Sequence, residues 1–404
     1  MFQDTIVTAY STLDDGRLLG KSSAQACVFA FLAFISVLRT QVETVPLDSI
    51  QYMTAAQSLL PRILLETASV EGLQSLCMLA FIEQKLGDVQ AAMYFTSLAA
   101  RLIFGLRAYV FSEPDLSTAG WSASTRTSSV QPHLRSLFWL CFAIDKELSL
   151  QTGEPPSIND DVCDLTLPPN YIERLYASDP CVQSRLPSDL FARLPPYPVD
   201  LRLSIIMSRV NSALCSNRRV QVNDATIIKH VRELDEELEQ WRISLPPHWQ
   251  PTLSSPSDNP NISMHALFLQ LVYYFILARI HLASNQYNEW MVAHSEMPQG
   301  ISSSLALSVA ASRSTLLCLK VYEHLLRDVA LWPILWYILT ALGVLYIHVL
   351  RRPLDPEAAS DVDLLKNISL IIHRLFIQQN PLNHPRDTDI PHITGLAIEI
   401  AQLA

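Results

Sequence analysis

Apolar positions recur at steps of three and four along nearly the whole chain, and strict alternation is nowhere sustained. That pattern predicts helices and no persuasive strand. The first helix is expected over residues 24–38. A second starts near Leu47, with Asp48 or Ser49 as cap, and continues through Leu59 and Leu64. Residues 70–86 and 89–106 predict a hairpin around Gly87-Asp88, where Gly closes one helix in the left-handed conformation and Asp caps the next. Ala80, Ala91, Ala92, Ala99 and Ala100 are small enough to let those two helices approach closely. One such unit does not make a repeat array.

Residues 112–132 form a Ser/Thr-rich stretch of weak periodicity, read as a loop. A helix is expected over 133–150 through Leu137, Leu140, Ile144 and Leu148, ending at Thr152-Gly153. The run EPPSINDDVCDLTLPP that follows must be extended. Its prolines forbid a helix, and its acidic residues need partners wherever they are covered. A second Pro-rich crossing segment spans 178–200. Over 225–244, Ile227, Val231, Leu234, Leu238 and Trp241 form a seam only about two heptads long, suited to docking on a body rather than to a free coiled coil. Pro246-Pro247 stops it, and 251–260 is a polar linker. Further helices are expected at 264–282, 302–327, 331–350, 361–378 and 393–403. No linker free of hydrophobic neighbours separates the halves, so the expectation is an all-α fold: an N-terminal tail at 1–24 and a single large multi-helix domain over 25–404.

Residues 329–350 contain no Asp, Glu, Lys or Arg, enough at ~20 residues to cross a bilayer. Pro333, Gly343 and His348 interrupt the stretch, and a helix apolar all round also suits the centre of a large helical domain, so a buried core helix and no membrane partner are expected. The apolar run 22–38 follows Asp4, Asp14 and Asp15, where an export signal needs basic residues.

Composition narrows the function classes. The chain of 404 residues carries 29 Lys+Arg against 39 Asp+Glu, a net charge of −10, which disfavours direct binding of a polyanion. Arg218-Arg219 and Arg351-Arg352 are too short for a nucleic-acid patch. Only 10 glycines are present, far below the usual ~7%, which disfavours the phosphate cradles of nucleotide-binding α/β enzymes. The seven cysteines, Cys27, Cys77, Cys141, Cys163, Cys181, Cys215 and Cys318, form no close cluster for zinc and suggest reduced thiols. The tripeptides at Asn261 and Asn367 fit the glycosylation sequon but require a secretory context.

No phosphate-binding, dinucleotide, zincin or nucleophile-elbow motif occurs, so neither catalytic residues, a cofactor nor a metal is expected. His348 is a candidate base or ligand contact, although a core histidine bonded to a carbonyl is the plainer reading. Asp160, Asp161 and Asp164 suggest either a cation site or a solvated, Arg-paired loop. Tyr273, Tyr274 and Phe275, with Trp332, Trp336, Tyr337 and Tyr346, put aromatics on two helices expected to pack deeply. Such a set either lines a small-molecule cavity or is plain core. From it Tyr273, Tyr274, Trp332, Trp336, Tyr346 and His348 are taken as candidate effector-binding residues.

Three stretches share an order and spacing with a known family: VEGLQSLCMLAFIEQKLGDVQAAMYFTSLAARLIFGLR, LRSLFWLCFAIDKELSLQTGEPPSINDDVCDLTLP and LDEELEQWRISLPPHW. Together they resemble the middle homology region of fungal zinc-cluster transcription factors, from about residue 25 to near the C-terminus. The second stretch is the most specific, with Trp139, Asp145-Lys146, Gly-x-Pro-Pro and an acidic run into Leu-Pro. The Arg usual after that Gly is Glu154 here. Family members usually open with six clustered cysteines holding two zinc ions, and residues 1–25 carry no such cluster. The resemblance therefore implies an all-helical regulatory domain without its DNA reader. It implies a nuclear transcription regulator of a metabolic or secondary-metabolite gene cluster. Its partners would be the transcription machinery or an intact zinc-cluster factor, with a small apolar metabolite as effector and no direct DNA binding. The alternative is a cluster-encoded enzyme or accessory protein on the same scaffold, using His348 or a tyrosine as proton carrier.

Overall fold

The computed structural model describes residues 2–10, 20–38, 49–110, 127–176, 197–215, 224–253, 262–283, 299–326 and 332–378. The helix expected at 393–403, Cys181, the Arg218-Arg219 pair and the side chains of Cys215 and Trp332 lie outside the described residues. So do most of the loop at 112–132 and most of the linker at 251–260. Every regular element among the described residues is helical, and the chain divides into two compact units, 1–171 and 172–404.

The first unit contains α1 (Phe2–Tyr10), α2 (Lys21–Leu38), α3 (Ser49–Ser58), α4 (Leu60–Ile63), α5 (Val70–Leu86), α6 (Val89–Gly105) and α7 (Thr127–Thr152). The α5–α6 hairpin forms as its sequence demands. Ser69 accepts from the Gly72 amide at 3.1 Å, Gly87 closes α5 at φ 88°, and Asp88 accepts from the Ala91 amide at 2.8 Å. Ala80, Ala92, Ala99 and Ala100 are buried where the helices pack. Residues 2–10, read from the sequence as part of a tail, are helical and pack on α2, with Gln25 Nε2 donating to the Ala9 carbonyl at 3.0 Å. Helix α2 begins at Lys21, ahead of the expected start. The Glu66 carboxylate reaches its N-terminus, accepting from the Ser22 and Ser23 amides at 2.9 and 3.0 Å. Helix α7 begins inside the stretch read as a loop and carries Pro132 within its opening turns.

The second unit contains α8 (Tyr171–Tyr176), whose first residue belongs to the first unit, then α9 (Leu201–Val210), α10 (Asp224–Ile243), α11 (Met264–Leu282), α12 (Gln299–Val321), α13 (Glu323–Leu326), α14 (Trp332–Arg351) and α15 (Ala358–Gln378). Helix α11 is apolar on every side and is covered by α12, α14, α10 and α9. Its closest association is with α12, where Ser304, Ser308, Ala311, Ser312 and Thr315 are buried. Side chains this small bring two backbones together. The hydroxyls of Ser308, Ser312 and Thr315 are satisfied within α12 by carbonyls three or four residues back. Among the described residues, three helical stretches are long and apolar enough to cross a membrane, Met264–Leu282, Ser302–Val321 and Ile334–Arg351, and all three pack against one another. The last is not buried all round: Ile347 and Leu350 are 46% and 55% exposed.

Candidate functional site

In the first unit the polar chemistry gathers along α7. Arg135 and Lys146 lie about three turns apart on one face, beside the extended run from Glu154 to Pro168. Lys146 is 1% exposed; its Nζ stands 2.9 Å from Asp160 Oδ1 and 3.4 Å from Asp145 Oδ2, and donates to the Ile158 carbonyl. The ammonium also lies 4.9 Å over the Phe142 ring. Asp145 in turn accepts from the Ser157 and Ile158 amides at 2.7 and 3.0 Å. Burial pushes the Asp145 carboxyl up, while Lys146 and the two amides oppose the shift.

Arg135 donates to the carbonyls of Asp164, Thr166 and Tyr109 and sits over the Phe138 and Trp139 rings at 4.6 and 5.1 Å. The prolines deny the extended run a hydrogen-bond ladder of its own, so these side chains serve its backbone instead. Two of the three aspartates singled out in the sequence are thereby paired, Asp160 with Lys146 and Asp164 with Arg135 at 3.9 Å. Glu154 is exposed, and its backbone carbonyl and amide are bonded to Ser149 and Thr152. Among the described residues no group of three or more His, Cys, Asp or Glu is placed to hold a metal.

In the second unit Asp200 is the polar centre. It caps α9 and is 1% exposed, and it accepts from Tyr176 Oη at 2.7 Å, Trp241 Nε1 at 3.0 Å and the Arg202 guanidinium at 2.7 Å. Tyr176, Trp249 and His265 pack as rings beside it, with centroids 4.9 to 6.2 Å apart. No local pattern announces this cluster, because its members are spread from 176 to 265.

The aromatic candidates are distributed over two environments. Tyr273 is buried and stacks on Trp241 at 6.0 Å; burial and Glu239 push its hydroxyl up to about 12. Tyr274 is buried, and its hydroxyl donates to the Thr252 carbonyl at 2.7 Å. Phe275 meets Tyr337 at 4.7 Å, which joins α11 to α14. Trp336, Tyr346 and His348, by contrast, are half-buried on the less covered part of α14. Sequence reasoning missed a three-residue chain across α10, α11 and α12. His281 Nε2 is 3.2 Å from Asp235 Oδ1, and His281 Nδ1 is 2.7 Å from Ser304 Oγ. His281 and Ser304 are 3% and 7% exposed, so this is a satisfied interior histidine rather than an open nucleophile.

The model of the fungal specific transcription factor domain matches residues 20–243, which include the Arg135–Lys146 clamp. The chain belongs to the fungal specific transcription factor domain family. It is 24% identical to an ABC-transporter-regulating transcription factor of Aspergillus oryzae, over 94% of this chain and 42% of that protein. The protein of the same description from Aspergillus fumigatus matches to the same extent, at 24% identity, 94% and 42%. The fusaridione A cluster transcription factor of Fusarium heterosporum is 23% identical over 78% of this chain and 56% of its own length. The chain thus spans about two fifths of the first two relatives. No solved structure matches it. The all-α architecture is what the family resemblance implied, and the family's most specific motif is the stretch that the two cations of α7 hold in place.

Proposed function

We propose that the chain is the regulatory body of a fungal transcription regulator, acting in the nucleus through contacts with other proteins. The observation that carries this reading is the family match over residues 20–243, reinforced by the pinning of the family's motif along α7 through Arg135, Asp145 and Lys146. The net charge of −10 supports a division of labour in which promoter DNA is read by a separate basic module. Relatives named for regulating an ABC transporter and for a metabolite cluster support a metabolic target set. A non-enzymatic role is supported by the family and by the covered state of His281 and Ser304.

Tethering tests this reading. The full chain is fused to an unrelated DNA-binding domain and placed upstream of a reporter in a fungal cell. Reporter output is expected to move several-fold from the level of the DNA-binding domain alone. Output equal to that baseline, with the fusion folded and nuclear, refutes the proposal.

A further inference from the structure

Beyond α10 the chain crosses the seam between α11 and α12, and three of its consecutive carbonyls are each held by a side chain of a different helix. Arg242 Nη1 of α10 donates to the Pro251 oxygen at 3.5 Å, Tyr274 Oη of α11 to that of Thr252 at 2.7 Å, and Ser314 Oγ of α12 to that of Leu253 at 3.3 Å. Helices α11 and α12 run antiparallel: His281 meets Ser304 at one level, and Cys318 Sγ donates to Gln270 Oε1 at 3.7 Å at another. That register sets Tyr274 opposite Ser314, so the segment spans the pair at a single level. Tyr274 and Ser314 are 3% and 2% exposed, while Thr252 and Leu253 face solvent. Just upstream, Trp249 anchors the segment among the rings of Tyr176 and His265.

The three tethers are unequal. The Arg242 guanidinium is already paired with Glu239 at 2.6 and 2.7 Å, and the Ser314 hydroxyl also has the Ala310 carbonyl at 2.9 Å. Either can release the segment and keep an acceptor within its own helix. The Tyr274 hydroxyl has no second acceptor among the described residues, and a phenol covered to this degree needs one. We propose that residues 250–253 form a latch that lifts from the α11–α12 seam while the helices stay folded, with the Tyr274–Thr252 hydrogen bond as its catch. The three bonds run from side chains to carbonyls, so lifting breaks no helical hydrogen bond, and openings of that kind lie at the low end of local stability. In the lifted state Tyr274 and Ser314 meet water side by side between two helices. That surface exists in one state alone, which is what a binding event requires in order to bias the two.

The inference is independent of the regulatory reading and is tested on the purified full chain. Ser314→Cys sets a thiol under the Leu253 carbonyl, and its alkylation by iodoacetamide, read by peptide mass, reports lifting. Cys141, 1% exposed in the first unit, is followed in the same sample as a measure of unfolding. Alkylation at 314 is expected to exceed that at Cys141 and to stay nearly flat across sub-denaturing urea, because lifting exposes little surface. Adding Tyr274→Phe, which keeps the ring and removes the catch, is expected to raise the flat rate several-fold. A rate at 314 that climbs with urea as steeply as that at Cys141 overturns the proposal. So does a flat rate that Tyr274→Phe leaves unchanged, or an increase confined to the urea-dependent branch, which would mean lost stability rather than a freed latch.

Discussion

Arg313 and Asp361 meet through two parallel hydrogen bonds of 2.7 Å each, Nε to Oδ1 and Nη2 to Oδ2, and the carboxylate is only 2% exposed. The pair ties α12 to the first turn of α15, where a carboxylate also complements the helix dipole. Glu357 adds a third contact at 2.5 Å to Nη1. Removing Arg313 leaves the Asp361 carboxylate covered and uncompensated, whereas removing Asp361 leaves a partly exposed Arg313 still paired with Glu357. Arg313→Met is therefore expected to cost about 3–5 kcal/mol, and Asp361→Ala less. Urea titration of each variant against the parent chain checks this, and a loss below 1 kcal/mol would mean that water replaces the pair.

Glu66 gives a pH dependence of known sign. Burial alone would raise its carboxyl. The hydrogen bonds from Ser23 and Ser22 outweigh that and hold it below the ordinary glutamate range. A depressed folded-state value means that the stabilisation is complete above the unfolded value of about 4.3 and is lost as pH falls through the folded one. Glu66→Gln is expected to cost about 0.5–2 kcal/mol at pH 7, as capping residues do. The gap between parent and variant should narrow as pH drops below about 4.3; a constant gap would contradict the assignment.

The Lys146 clamp predicts a contrast between two nearby substitutions. Lys146→Met leaves Asp145 covered without its cation and the Ile158 carbonyl without a donor, so roughly 3–5 kcal/mol is expected. Glu154→Arg restores the residue usual in the family. Here the side chain is exposed and only its backbone is engaged, so the change should stay within about 0.5 kcal/mol. Thermal melts of the two variants decide it, and a large effect at Glu154 would show an ion pair that the present arrangement does not use.

Asp200 and Trp241 allow the same reasoning with a spectroscopic signal. The indole donates to a carboxylate that also holds Arg202 and Tyr176, so Trp241→Phe should cost about 1.5–3 kcal/mol while leaving the stack on Tyr273 largely intact. Asp200→Ala removes cap and counter-ion together and should cost more. Denaturation followed by the remaining tryptophans ranks the two, and a reversed ranking would refute Asp200 as the centre of the cluster.

Local rules predicted the elements well and the polar centres poorly. The α5–α6 hairpin was legible because each of its determinants, Ser69, Gly87 and Asp88, acts within four residues of where it sits. The start of α2 was not, because its cap is Glu66, more than 40 residues away. Helix α9 was hidden behind a Pro-rich stretch and is capped by Asp200, whose partners lie as far off as Trp241. The aromatic candidates shared two helices but not one environment. Side-chain periodicity tells which face turns inward, while the neighbour that a buried ring meets is set by tertiary packing.

His265 supplies a second pH window. Burial lowers its imidazole value, against the Val199 carbonyl and Asp200, which raise it. The ring is set between Tyr176 and Trp249, and its Nε2 is 3.0 Å from the Val199 oxygen. A histidine held neutral in the fold stabilises fully above its unfolded value of about 6.5, and that stability is lost as pH falls through the folded value. Stability of the parent chain should therefore decline as pH falls below about 6.5, and His265→Phe, which keeps a ring against Trp249, should flatten that decline. A slope left unchanged by His265→Phe would show that it does not belong to His265.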